Sequence, residues 1–452
     1  METLHTVLSF VIAISVLVTV HEFGHFIVAI KLGIKVEKFS IGFGPALFSW
    51  RGKKDGIEYI IAAIPLGGYV KMLGENPDEQ GEVSGKGLSQ EELLRAFHTQ
   101  AVWKRAAVAV AGPLFNFIFA IVAYMCVGWL GQQVMPPVVG SVAPGSVSER
   151  AGLMVGDRLL RLDGQELHAW SQFEEMLKDR TGRNVTIDFD RDGHTTSVDL
   201  SVRASEKDAL LVDVSDEALG LNLGTQVFID AVVQGSPAEL AGFKSGDEVI
   251  QIEGVDLGGV RQLIRAIQSH GGQSLAVTVL RGDTQLQLHL TPKADVDHGT
   301  GRAGVHLVSK PINQPVRYQM SLGEGFVYGF QRTYEMTVLT VQVMGKMVTT
   351  AISPDNLGGP IAIAQLAGRT AELGLVAFIT FLALISVNLG VINLLPVPIL
   401  DGGHLLYLGL EKLRGKPMSI AMMERTQLVG VVLIGALMIF AFYNDLMRLF
   451  RG

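Results

Sequence analysis

Five consecutive residues stand out for the chemistry they could perform together. His21-Glu22-Phe23-Gly24-His25 has the form H-E-x-x-H, and on an α-helix residues i and i+4 share one face, so the two imidazoles converge while the carboxylate sits beside them. Imidazole nitrogens suit a zinc ion, and an acid next to such an ion can take a proton from water. The pattern implies metal-assisted hydrolysis, with His21 and His25 as ligands of one Zn2+ per chain and Glu22 as the acid/base. Its setting separates it from a chance match, because it interrupts an apolar run from Leu4 to Ile30. Each ionisable group in such a run costs about 2.5–3.5 kcal/mol of insertion free energy. Three of them so close together require compensation by a metal, a partner or water.

A catalytic zinc takes three protein ligands and keeps a fourth position open. A second polar interruption offers the third. The stretch Asn393-Leu-Leu-Pro-Val-Pro-Ile-Leu-Asp401-Gly-Gly-His404 ends an uncharged run that begins at Leu373. Pro396, Pro398, Gly402 and Gly403 are expected to break regular helix there, and irregular backbone at membrane depth is tolerated only where it is buried in protein or lines a wet cavity. Asp401 is the expected third ligand, with His404 as its competitor. Asn393 either donates to a scissile carbonyl or developing oxyanion, or serves as a helix-packing amide.

The elements that position these residues follow from composition. Of 452 residues, 48% are hydrophobic and 18% charged, and the mean hydropathy is +0.34, which points to membrane insertion. A net charge of −7 leaves no excess of basic charge for a phosphate backbone, so no nucleic-acid partner is expected. The lone Cys126 excludes an intrachain disulfide and a cysteine-based zinc site. About 20 apolar residues cross a bilayer as a helix, and four spans are expected at 1–31, 105–131, 373–403 and 426–446. The first lacks a basic leader and is read as a retained helix. The second carries Asn116 and is broken by Gly112-Pro113. Lys31, Lys35, Lys38, Arg51, Lys53, Lys54, Lys104 and Arg105 in or beside loop 32–104, with Lys412, Arg414, Lys416 and Arg425 in loop 404–425, place both loops in the cytoplasm. The long segment between spans two and three and both termini, including the tail 447–452, then lie outside, which in a bacterium is the periplasm. Spans one and three run in the same direction, so their polar motifs fall at similar depth.

The outer segment contains a repeat at a constant offset of 90 positions. Gly145-Ser146, Ala151-Gly152, Gly156-Asp157 and Gly164 correspond to Gly235-Ser236, Ala241-Gly242, Gly246-Asp247 and Gly254. Each copy continues with strand-like runs and a helix-period stretch, so two tandem α+β modules are expected at 132–220 and 221–310. The A-G-x-x-x-G-D block resembles PDZ domains, which implies either an exposed sheet edge that captures extended peptides or a rigid spacer. Segment 311–372 is expected to be an amphipathic outer helix from Glu324 to Ala351, ended by Asn356-Leu-Gly-Gly-Pro360 and packed against the modules.

With H-E-F-G-H in the first span and N-x-x-P-x-P-x-L-D-G in the third, the chain resembles the site-2 protease family of intramembrane zinc metalloproteases. The resemblance implies a bundle of four transmembrane helices with a cytoplasmic, β-rich, membrane-associated loop and two periplasmic PDZ domains, in the bacterial inner membrane. It implies His21, His25 and Asp401 as ligands, Glu22 as catalytic acid/base and Asn393 as a substrate-binding residue. It also implies that Ile41-Gly42-Phe43-Gly44-Pro45 and the stretch Tyr59 to Met72, with Gly67-Gly68, form a strand edge that holds substrate beside the metal; the alternative is a plain hairpin. Single-pass membrane proteins already trimmed outside would be the substrates, notably an anti-sigma factor after site-1 cleavage, and remnant signal peptides. Two other classes stay open at this point: a non-catalytic PDZ receptor, and a zinc or proton transporter, against which stands the lack of an inverted repeat among the spans.

Overall fold

In a computed structural model that describes residues 2–53, 55–75, 89–203, 215–294, 300–349 and 358–451, the chain divides into two compact units, Met1–Gln132 with Gln319–Gly452, and Gln133–Tyr318. Lys54 of the basic loop, and Asn356 and Leu357 of the expected helix break, lie outside the described residues.

The first unit is built from helices α1 (Glu2–Lys31), α2 (Val102–Leu130), α3 (Leu322–Val348), α4 (Pro360–Glu372), α5 (Leu375–Asn393), α6 (Asp401–Arg414) and α7 (Ile420–Arg451), with strands β1 (Val36–Arg51) and β2 (Glu58–Met72). Among the described residues, α1, α2, α5 and α7 are long and apolar enough to cross a membrane. Helix α2 lies at the centre, against α1, α3, α5 and α6. Ala120, Ala123 and Tyr124 of α2 meet Ala383, Val387 and Val391 of α5 in one buried cluster. Ala13 and Leu17 of α1 meet Ala367 of α4 and Phe381 of α5 in another.

Three expectations are corrected here. Gly112-Pro113 does not break the second span: α2 is continuous with Pro113 inside it. Proline removes one backbone donor, and a helix buried on that face tolerates the loss while presenting little side chain to its neighbours. Segment 404–425, expected as a loop, is helical as far as Arg414, and α7 begins at Ile420. Between α5 and α6 only 394–400 is irregular. Gly402 and Gly403 lie in the first turn of α6, where a Cβ would stand 2.2 Å from Leu395 O and 2.3 Å from Val397 O. These glycines let α6 fold back over the irregular segment instead of ending a helix. Within its own unit, α3 packs along α2 and α5. A Cβ at Gly325 would meet Trp129 Nε1 at 2.3 Å, one at Gly329 would meet Ile121 O at 2.7 Å, and Thr340 Oγ1 donates to Asn388 Oδ1 at 2.8 Å. G-x-x-x-G at 325–329 opens α3 to close helix contact.

Asp445 of α7 is buried and accepts hydrogen bonds from the amides of Gly359, Ile361 and Ala362 at 2.9–3.1 Å. It caps α4, which packs on α1. Strands β1 and β2 bend and pair along three stretches: Val36–Ile41 with Gly68–Met72, Lys38–Ile41 with Glu58–Ile61, and Ala46–Arg51 with Glu58–Ala62. Both inner stretches have two neighbours, so 46–51 and 68–72 are the sheet edges.

In the second unit, both modules show the same order of elements. Helices Val147–Arg150 and Trp170–Lys178 with strands Arg158–Leu162, Asn184–Arg191 and His194–Ser201 match Pro237–Leu240 and Val260–Ser269 with Glu248–Ile252, Leu275–Arg281 and Thr284–Leu290. The repeated serines cap the first helix of each module, Ser146 for Glu149 N and Ser236 for Glu239 N. The repeated aspartates are buried and paired, Asp157 with Arg191 and Asp247 with Arg281, with N···O distances of 2.7 Å in both.

Burial alone would push the Asp247 carboxyl up, but the Arg281 guanidinium and the Lys244 amide outweigh it and hold it below the usual carboxylate range. The unfolded chain therefore takes up this proton more readily than the folded one. The stability from Asp247 is complete above the unfolded carboxylate pKa of about 3.9 and is lost as pH falls below it. Asp247→Asn is expected to lower the stability of the second module by about 2 kcal/mol at pH 7 and by less at pH ~3. Denaturant unfolding of the solubilised chain at both pH values measures this; an equal loss at both would contradict it.

Candidate metal centre

Helix α1 places His21 and His25 on one face, with ring centroids 4.8 Å apart and the rings at 81°. The first residue of α6 brings Asp401 to them. Nε2 of His21 lies 3.2 Å from Nε2 of His25 and 3.2 Å from Asp401 Oδ2, and His25 Nε2 lies 3.5 Å from Asp401 Oδ1. Three ligand atoms at about 2.0–2.1 Å around a tetrahedral zinc stand roughly 3.3 Å apart. The donor set therefore fits a single zinc ion without rearrangement of the backbone. Among the described residues this is the one group of His, Cys, Asp and Glu that converges in this way.

The hydrogen bonds behind the ligands prepare them for a cation. His25 Nδ1 lies 2.8 Å from Val108 O. A carbonyl only accepts, so Nδ1 carries the proton and Nε2 of the neutral ring presents its lone pair. His21 Nδ1 lies 3.0 Å from the side-chain amide of the fully buried Asn116, whose Oδ1 has no hydrogen-bond partner. Turning that amide over satisfies Oδ1 with the Nδ1 proton and frees His21 Nε2 as a ligand. Asp401 Oδ2 is likewise buried without a hydrogen bond. A cation among the three donors answers for the orphaned Asp401 oxygen, while the amide turn that His21 needs for ligation answers for the orphaned Asn116 oxygen.

The approach of α2 makes this possible. A Cβ at Gly112 would lie 2.3 Å from His25 Nε2 and 2.7 Å from His21 Cε1, and a Cβ at Gly24 would lie 2.4 Å from Ala111 O. Each helix gives up a side chain where the other crosses it. Gly112, Val108 and Asn116 had no role in the sequence reading beyond a helix break and a polar interruption. The signal was present as glycine and asparagine four residues apart in an uncharged span.

Glu22 is half-buried beside the ligands and takes a backbone hydrogen bond from Val70 in the edge stretch of β2. Gly68 is its neighbour, since a Cβ there would lie 3.2 Å from Glu22 Cγ. The other three glycines of the loop are not brought to the centre. Gly42 and Gly44 surround Ile64, and Gly67 faces the Phe43 ring, where a Cβ would meet Cε2 at 1.9 Å. Asn393 is half-buried as the last residue of α5. His404 is exposed in the first turn of α6, edge-on to Tyr407, and outside the donor set.

Comparison with known proteins gives the family of the chain. The Peptidase family M50 profile matches residues 9–437. Regulator of sigma-E protease RseP of Escherichia coli K12 is 39% identical over 451 residues, 98% of each chain. Protease RseP of Yersinia pestis is 39% identical over 464 residues, covering 99% of this chain and 100% of that one. Regulator of sigma E protease of Haemophilus influenzae is 37% identical over 453 residues, 98% of each. Among solved structures, the PDZ domain of an SdrC-like protein from Listeria monocytogenes is 22% identical with a TM-score of 0.17, covering 19% of this chain and 90% of that one. By the length of the profile match and the identity of these relatives, the chain belongs to Peptidase family M50 and is a protease.

Proposed function

We propose that this protein is a zinc-dependent intramembrane endopeptidase of the bacterial inner membrane that cleaves single-pass membrane proteins within their spans. The observation that carries this reading is the convergence of His21, His25 and Asp401, from two separate apolar helical segments, at tetrahedral zinc spacing beside Glu22. Bound there, zinc supplies a Lewis acid that acidifies water and polarises a carbonyl. Glu22 takes the proton from the attacking water and delivers it to the leaving amine. Asn393 binds the substrate near the scissile bond.

A peptide bond inside a helix has its carbonyl engaged, so a substrate span is unwound before attack. The edge stretch Gly68–Met72 beside Glu22 supports this step, because strand addition satisfies the backbone of an extended substrate. The exposed apolar side chains of Phe43, Leu47, Phe48 and Trp50 suit the same sheet to lipid contact. Segments 32–104 and 404–425 face the cytoplasm, and the two modules are periplasmic PDZ domains that hold back substrates with bulky outer domains. By analogy with relatives named for sigma-E regulation, the principal substrate is an anti-sigma factor already cut on its outer side, and remnant signal peptides are a second class. A non-catalytic receptor would have no need of Glu22, and against a transporter stands the lack of an inverted repeat among the spans.

Glu22→Gln is expected to retain zinc and to lose at least 10²-fold in the cleavage of a model single-pass substrate. Metal analysis and gel assays of the purified protein, with and without chelator, check this; cleavage equal to wild type would sink the protease assignment of Glu22. Gly112→Ala forces a methyl group against both imidazoles and is expected to lower zinc affinity at least tenfold, read by competition with a chromophoric chelator. Deletion of residues 136–309 is expected to permit cleavage of untrimmed substrate, and continued rejection would place the filter elsewhere.

A further inference from the structure

Helix α2 carries four residues on one stripe, Arg105, Val108, Gly112 and Asn116, spaced by 3, 4 and 4 positions. The last three address the histidines of α1. The first addresses α6. Arg105 Nη1 donates to Glu411 Oε2 at 3.1 Å and Nη2 donates to Glu411 Oε1, while Nε is held on Gln100 O at 3.1 Å. The side chains of the pair are only 12% and 16% exposed. A two-pronged guanidinium–carboxylate contact fixes both distance and rotation, which a lysine cannot do.

Glu411 and Asp401 belong to the same uninterrupted helix of 14 residues. At its other end α6 is joined to α5 by the irregular segment 394–400, which has no regular hydrogen-bond ladder to set its direction. The close seat of Gly402 and Gly403 on the carbonyls of Leu395 and Val397 fixes where α6 starts, and contacts along its length fix its direction. Along that length the Tyr407 hydroxyl shares a hydrogen bond with Thr426 Oγ1 of α7 at 2.6 Å, and among the described residues the polar contact that ties α6 to α2 is Glu411 with Arg105. The same stripe of α2 thus references both histidines and the helix that delivers Asp401. We propose that Arg105 and Glu411 are positioning residues that hold Asp401 at ligand distance from His21 and His25. The inference rests on the zinc-site reading above and adds to it the means by which the third ligand is held.

The test is zinc affinity of the full-length protein in detergent, by competition with a chromophoric chelator, for Glu411→Gln and Arg105→Lys, each alone and combined with Asp401→Ala. Both substitutions keep size close to the original, and gel filtration confirms folding. Each alone is expected to weaken zinc binding about tenfold or more, the range seen when groups behind a ligand are lost. In the Asp401→Ala background the same changes are expected to shift affinity less than about twofold, because the ligand through which they act is gone. Wild-type affinity in either single variant, or an undiminished loss without Asp401, would overturn the proposal. Failure of the unaltered protein to bind zinc would instead remove the metalloprotease reading itself.

Discussion

The proposed metal site depends on two apolar helices crossing at backbone distance. Gly24 of α1 and Gly112 of α2 leave no side chain between them, so the imidazoles of His21 and His25 lie directly on the α2 backbone. From that contact follow the Val108 carbonyl that sets the His25 tautomer and the Asn116 amide that faces His21. In water such a crossing would be one favourable contact among many. Between apolar helices, where lipid competes equally for any large side chain, close approach and buried polar contacts are what hold the helices together.

The same economy governs the rest of the first unit. Ser386 donates to the Asn116 carbonyl at 2.8 Å, Thr340 to Asn388 at 2.8 Å, and Asp445 takes three amides at the start of α4. Each joins two helices, and each satisfies a polar group that would otherwise be costly in an apolar setting. Against this background the unsatisfied Asp401 Oδ2 and Asn116 Oδ1 are exceptions. They sit where His21, His25 and Asp401 converge, and local rules are broken where function requires it.

The second unit is held together by different means. Each module has its own apolar core, one around Phe173 and Ile187 and the other around Leu275 and Val277. In both, a buried aspartate ties the helix-to-strand corner to the arginine at the end of a later strand. That pair explains the repeated Gly-Asp in chemical terms: the glycines, at φ +95° and +90°, take a backbone conformation that disfavours side chains, and the aspartate turns inward to its arginine.

The sequence by itself determined the chemistry and the inventory. Helical period places His21 and His25 on one face, an apolar run of membrane length identifies each span, and a constant offset of 90 residues declares two modules. These are local or periodic properties that the chain carries wherever it folds. What only the tertiary structure decided was who meets whom. Asp401 rather than His404 joins the histidines because α6 starts at Asp401 and turns His404 outward. The Gly402-Gly403 pair, which looks like a break, opens helix α6 because the carbonyls of the preceding segment lie over it. The amphipathic helix α3 lies on α2, because Gly325 and Gly329 fit Trp129 and Ile121. Of the four loop glycines only Gly68 reaches Glu22, since the bent pairing of β1 and β2 makes 68–72 an edge and folds the others away. Contacts between residues far apart in the chain depend on the sum of many weak packing terms, and no pattern within one segment records that sum.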